Sequence, residues 1–181
     1  MKKLILLLII TFHFILVSCT NSQPTSECQI NELILDKSDF PSGTVVDDIS
    51  SPIDEYPSES AGRTAGYGKS LIYHVVGNYS SIRQAKLKYS NEDKYKFESD
   101  KYRGPWVTPE EITYESPIAD QYHIACGPVQ TEYQCRMIAR YEEYYVFFFA
   151  YVSEDGLNFN HLQEMLKSID KKMEACLQGN N

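Results

Sequence analysis

The sequence predicts an α+β domain, an antiparallel β-sheet with helices packed on it, the last of them a C-terminal amphipathic helix. Three observations predict it. Residues 120–152 hold three strand-like runs split by short polar turns, with apolar residues recurring at every second position. Leu162, Met165, Leu166, Ile169, Met173, Cys176 and Leu177 recur at helical spacing and form one apolar stripe. Ser70 to Gly77, SLIYHVVG, is a third kind of signal: a strand-like run followed at Ser80-Ser81 by a helix start.

Met1-Lys2-Lys3 precedes fourteen largely apolar residues, Leu4 to Val17, interrupted by Thr11 and His13. As a helix such a run spans about 21 Å, short of a hydrocarbon core of roughly 30 Å, so residues 1–18 read as a secretory signal. Leu16-Val17-Ser18-Cys19 resembles the lipobox of bacterial lipoproteins. That resemblance implies a diacylglycerol thioether on Cys19, cleavage just before it, and a chain held by lipid on the outer side of a membrane. Two or more acyl chains make such an anchor stable. Residues 19–27 then form a polar tether whose nine steps to Cys28 reach at most about 32 Å.

Beyond the tether the expectation is a single domain over 28–178 with a 179–181 tail. Glu32-Leu33-Ile34-Leu35 begins ordered structure, Phe40-Pro41-Ser42-Gly43 turns the chain, and Thr44-Val45-Val46 is a short strand. Ser50 to Lys69, rich in Ser, Pro and Gly and without clear period, reads as a long loop. The helix after Ser80-Ser81 runs to about Lys96 with Ile82, Ala85 and Tyr89 as its apolar face. Pro105-Trp106, Pro109 and Pro117 punctuate the next segment. The C-terminal helix follows the Asp155-Gly156 turn, with Asn160 and Gln163 resembling a capping box.

The three strands are Asp120–Cys126, Tyr133–Tyr141 and Tyr144–Ser153. With Glu142-Glu143 at the second turn, Tyr141 faces Tyr144, Met137 faces Phe148 and Cys135 faces Ala150. One sheet face then collects Tyr122, Ile124, Cys126, Cys135, Met137, Ala139, Tyr144, Val146, Phe148 and Ala150, which is core. The other carries Gln121, His123, Gln134, Arg136, Ile138 and Arg140 opposite Tyr145, Phe147, Phe149 and Tyr151. Arg136, Arg140, His123, Phe147 and Phe149 are the candidate ligand-binding residues, since guanidinium groups among aromatic rings hold anionic or planar ligands. The competing reading, which takes precedence, is a covered sheet face with the arginine stems packed on the rings.

The leader removes Lys2 and Lys3, so 17 basic and 25 acidic residues become 15 and 25, a balance of about −10. Nucleic acid, which calls for a basic face, is not an expected partner. The longest later apolar run, Tyr144 to Val152, has nine residues, too few to span a membrane. Of five cysteines, Cys19 takes lipid and Cys28, Cys126, Cys135 and Cys176 form an even set for an oxidising compartment. Three pairings are possible. The favoured one joins Cys28 to Cys176 across the ends of the domain and Cys126 to Cys135 across a hairpin. No C-x2-C pair occurs, so no metal is expected, and no cofactor motif appears. Gly66-Tyr67-Gly68-Lys69-Ser70 fails as a phosphate loop because Arg63 stands where glycine is required. His74, His123 and His161 are isolated in sequence and no catalytic motif is present, so no enzyme activity is expected.

Leu33-Ile34-Leu35 with Asp39-Phe40-Pro41-Ser42-Gly43, the four domain cysteines, and the Cys135–Val152 hairpin ahead of a terminal helix together resemble the small extracytoplasmic sensor domains of certain bacterial serine/threonine kinases and their stand-alone lipoprotein relatives. The Ser50–Lys69 loop has no counterpart in that resemblance. What it implies is sensing or ligand binding without catalysis. An accessory subunit of a cell-envelope complex is the alternative, with membrane lipid, an envelope protein or a small ligand as partner.

Overall fold

A computed structural model describes residues 28–52, 57–98 and 105–179. The leader, Cys19, the tether and Asn180-Asn181 lie outside the described residues.

The chain enters through a 3-10 turn, Ile30–Leu33, that buries Ile30 and Leu33 and delivers Ile34 and Leu35 into the core. A second turn, Lys37–Asp39, carries its own cap: Asp39 Oδ2 accepts from Asp36 N–H and Asp36 Oδ1 accepts from Ser38 N–H, each at 2.8 Å. Gly43, at φ +93°, takes the left-handed conformation that the Pro41–Thr44 turn requires. Six antiparallel strands follow: β1 (Val45–Val46), β2 (Glu59–Tyr67), β3 (Ser70–Asn78), β4 (Gln121–Val129), β5 (Glu132–Tyr141) and β6 (Tyr144–Val152). Their order in the sheet is β1-β2-β3-β6-β5-β4. Helices α1 (Ile82–Asp93), continued by a π-helical turn Lys94–Glu98, and α2 (Phe159–Gly179) complete the fold.

This is the expected α+β architecture. The β5–β6 register is the one the side-chain period demands, pairing Tyr141 with Tyr144, Met137 with Phe148 and Cys135 with Ala150. Cys126 stands opposite Cys135 across β4 and β5. The face read as core is core: together with Ile72, Val76 and the α2 stripe it forms one cluster sealed by residues 30–35, with Tyr122 packed against it. Both favoured disulfides are present, with Cα–Cα separations of 5.7 Å for Cys28–Cys176 and 4.0 Å for Cys126–Cys135. In the chain-entropy model the long loop is worth about 5 kcal/mol and the short one about 2.7 kcal/mol, as upper values.

Four expectations are corrected. Residues 59–67 of the supposed loop form β2, paired along its whole length with β3 through a two-residue turn at Gly68-Lys69. Its core-facing residues include Ala61 and Ala65, small enough for residues 30–35 to pack over them, and small residues leave little alternation to read. Gly68 is at φ +57°, and a Cβ there would also run into the carbonyl oxygen of Asp155. The cap of α2 is Asn158, whose Oδ1 accepts from His161 N–H at 2.9 Å, rather than Asn160 with Gln163. Ile82 lies outward, 53% exposed, while Ala85 and Tyr89 are buried. Gly179 belongs to α2 rather than to the tail.

His74 is fully buried on the core face of β3, where its Nδ1 accepts from Leu35 N–H at 3.2 Å. Accepting requires a neutral ring. Burial pushes the imidazole down to about 3, helped by the charges of Lys172 and Arg63. The unfolded chain takes up this proton near pH 6.5, so stability is full above that value and declines as pH falls toward 3, by roughly 1.4 kcal/mol per unit. Asp36, held at about 2 by the Ser38 hydroxyl and N–H and by Lys172, adds its own loss only below its ordinary 3.8. Thermal melts from pH 7 to pH 4 are expected to show a steady fall in Tm that His74→Asn largely flattens above pH 4, from a lower starting stability. An unchanged slope in the variant would assign the loss to other groups.

Candidate functional site

The second face of the sheet is covered. Helix α1 lays Ala85 and Tyr89 on Ile138 and Tyr145, with Tyr79, Phe97 and Phe147 closing the cluster. Beneath this cover Arg136 is 5% and Arg140 8% exposed. Arg136 donates from Nε to Gln134 Oε1 at 2.6 Å and from Nη1 to the Lys96 carbonyl at 3.0 Å, and its guanidinium carbon lies 4.2 Å from the Trp106 ring centre. Arg140 donates to Gln121 Oε1 at 2.8 Å and to the Glu142 carbonyl at 2.9 Å, and pairs with Asp120 at 2.9 Å. Both arginines therefore serve internal acceptors.

The other three candidates stand apart from them. Phe149 is half-buried among Tyr73, Phe147 and Tyr151, with ring centres 5.5–5.9 Å away. Phe147 carries Lys96 Nζ at 4.1 Å from its ring centre. His123 stacks on Phe97 at 4.0 Å and binds Asp93 through Nδ1 at 2.5 Å, which fastens the end of α1 to β4. The structure thus brings the five residues onto one face without gathering them around one opening.

His123 does border a hollow, of about 290 Å³, at the edge of the sheet. Its origin is local. Val107 pairs with Cys126 through a single antiparallel bridge, and Thr108 Oγ1 donates to the Ile124 carbonyl at 2.7 Å. The chain then leaves β4 because Gln163 of α2 draws it away: Gln163 Oε1 accepts from Thr113 N–H at 2.9 Å and Tyr114 N–H at 3.0 Å. Between the departing segment and the strand lie Thr108, Ile112, Tyr114, Tyr122, His123 and Ile124.

Tyr114 leads from this hollow to the one buried carboxylate among the described residues, Asp170. It sits on the buried side of α2 and accepts from Tyr114 Oη at 2.6 Å and Tyr141 Oη at 2.5 Å. Burial pushes the Tyr114, Tyr122 and Tyr141 phenols well above the ordinary 10, and the Asp170 charge adds to it, so all three stay protonated donors. The Tyr122 hydroxyl is itself buried and has no hydrogen-bond partner. Such an orphan is uncommon, because an unmade buried bond costs about 1–3 kcal/mol. Sequence reasoning passed over this network. The available signal was Asp170 itself, four residues after Leu166 and three before Met173, an acid inside an apolar stripe.

A larger hollow, about 570 Å³, opens at the start of α1 between Ser58, Asn78, Ser81, Glu59 and Glu143, and contains no buried polar atom lacking a partner. Among the described residues no group of three His, Cys, Asp or Glu side chains is placed to hold a metal. No helix among them is long and apolar enough to cross a membrane.

A six-stranded antiparallel sheet closed by a C-terminal helix on one face and a second helix on the other is a specific arrangement, and it has a solved counterpart. The chain is similar in fold to the extracellular domain of PknH from Mycobacterium tuberculosis. The TM-score is 0.58 at 10% identity, over 84% of this chain and 98% of that one. No family model and no curated protein matches the sequence. At that identity the likeness establishes the fold.

The burial of Arg136 makes its role measurable. Arg136→Ala leaves Gln134 Oε1 and the Lys96 carbonyl without their donor, and is expected to cost about 2–3 kcal/mol, a fall in Tm of roughly 5–10 °C at this size. A denaturant melt indistinguishable from wild type would show that the guanidinium is dispensable for folding and available for another task.

Proposed function

We propose that this protein is an extracytoplasmic lipoprotein whose domain binds or senses a ligand without catalysing a reaction. The observation that carries the reading is the cysteine pairing: Cys28 with Cys176 and Cys126 with Cys135 account for four of five cysteines and leave Cys19, the residue at the lipobox position. Disulfides of this kind persist in oxidising compartments, and the fold likeness is to an extracellular domain. Membrane lipid is the partner through Cys19, and nucleic acid is not a partner.

For the ligand, the hollow beside β4 is the better candidate than the arginine face. The hollow has room, an unpartnered buried hydroxyl on Tyr122, and phenol and imidazole groups in its lining. The arginines have internal partners. A small polar molecule that accepts a hydrogen bond suits these donors, and the absence of any nucleophile and base in contact there argues for binding alone.

Mass spectrometry of the protein extracted from membranes is expected to find a diacylglyceryl-modified Cys19 as the first residue, and Cys19→Ala is expected to abolish the modification. A free thiol at an intact Ser18-Cys19 bond would refute the anchor. Tyr122→Phe is expected to stabilise the ligand-free protein by about 1 kcal/mol, because it removes an unmade hydrogen bond, and to weaken the thermal shift given by any small polar compound that stabilises the wild type. Destabilisation by this substitution, with compound shifts unchanged, would remove the hollow from consideration.

A further inference from the structure

Helix α1 has a second face that core packing does not use. Opposite Ala85 and Tyr89, its outward arc carries Ile82, Arg83, Lys86, Leu87 and Ser90, continued by Lys94 at the π-helical turn, all exposed. Ile82 and Leu87 are 53% and 56% exposed, and three cations stand between and beside them. The acids of the same segment are turned elsewhere. Glu92 pairs with Lys88 at 3.0 Å and Lys96 at 3.3 Å, and Asp93 holds His123. No ion pair among the described residues involves Arg83, Lys86 or Lys94. Among the described residues, Glu59 and Glu143 line the hollow beside Ile82, and Glu98 ends the π-helical turn. A chain with 17 basic and 25 acidic residues therefore concentrates unpaired positive charge, interleaved with exposed aliphatic side chains, on one helix face.

We infer that this face of α1 rests on anionic lipid headgroups, orienting the domain on the membrane that holds Cys19. The inference rests on the lipoprotein reading for its setting. The attraction is electrostatic, cations meeting lipid phosphates, with the exposed Ile82 and Leu87 beside them at the headgroup boundary. The dimensions permit it. Cys28 is on the α2 side of the sheet, two layers of about 10 Å each and one helix radius of about 5 Å above the outer surface of α1. Fully extended, the nine steps from Cys19 to Cys28 reach about 32 Å, against that height of about 25 Å plus the path round the sheet edge, so contact requires an extended tether. Each cation at an anionic surface strengthens the contact by about fivefold, and three by about a hundredfold.

The test uses the mature chain from residue 19 onward with Cys19→Ala, so that no acyl group contributes, sedimented with vesicles of phosphatidylcholine alone or mixed with phosphatidylglycerol. Binding is expected to be at least tenfold stronger to the mixed vesicles, to fall as salt rises toward about 0.5 M, and to drop to the phosphatidylcholine level in Arg83→Glu/Lys86→Glu/Lys94→Glu. Because all three positions are exposed, that variant is expected to keep the wild-type Tm, which separates lost binding from lost folding. Equal binding to both vesicles, equal binding by the charge-reversed variant, or displacement by millimolar inorganic phosphate would each overturn the inference. Since the acyl group is absent, failure here bears on the helix face, whereas an unmodified Cys19 bears on the anchor.

Discussion

If β5 slipped by one residue against β6, Cys135, Met137 and Ala139 would turn from the α2 side to the α1 side, and Arg136 and Arg140 would enter the apolar core. The whole arrangement depends on that not happening. Local devices hold the register on each edge of β5. The Glu142-Glu143 turn closes the β5–β6 hairpin with Glu142 at φ +51°, its N–H bound to the Asp120 carboxylate at 2.7 Å. On the other edge, the Cys126–Cys135 bond holds β4 against β5, because both sulfurs must share a face. Because β5 and β6 lie inside the sheet, their register is passed outward to β3 on one side and to β4 on the other.

With both faces of the central strands covered, polar residues on them must find partners indoors. Arg136 and Arg140 do so through Gln134 and Gln121, which lie on their own face of the sheet, and through the carbonyls of Lys96, in the covering π-helical turn, and of Glu142, in the β5–β6 turn. An arginine amid aromatic rings is thus explained as a means of filling a wide layer between helix and sheet, its stem packed and its charge distributed over acceptors. The same logic accounts for Asp170. Its carboxylate takes the hydroxyls of two tyrosines from different elements, Tyr114 and Tyr141, and so ties the segment before β4 and the end of β5 to the middle of α2. A buried charge with two donors is tolerable where an unpaired one is not.

What was legible in the sequence was whatever periodicity and volume report. Large alternating residues in β5 and β6 specify strand, register and core face, and the α2 stripe is just as clear. β2 was missed because Ala61, Gly62, Ala65 and Gly66 give the alternation almost no amplitude. Small residues were needed there for the approach of residues 30–35 and of Pro52, whose Cγ would lie 3.2 Å from a Cβ at Gly62. Ile82 was placed inward because hydrophobicity alone does not tell which of two apolar stripes on one helix is buried. The hollow was invisible for a different reason: it exists because Gln163, fifty residues further on, draws Thr113 away from the strand. Pairings at that distance leave no mark in a local pattern.

The edge strand is where these constraints relax. β4 is paired on one side, and on the other, among the described residues, it meets one bridge at Val107 before the neighbouring chain departs. An open strand edge invites association with another chain unless it is covered, and here residues 107–114 cover it incompletely, clamped at Thr113 and Tyr114 by Gln163 and Asp170 of α2. The clamps fix the width of the gap, while the strand contributes Tyr122 and His123 to its wall. The hollow thus joins a partly uncovered strand edge to a buried Tyr122 hydroxyl that lacks a hydrogen-bond partner.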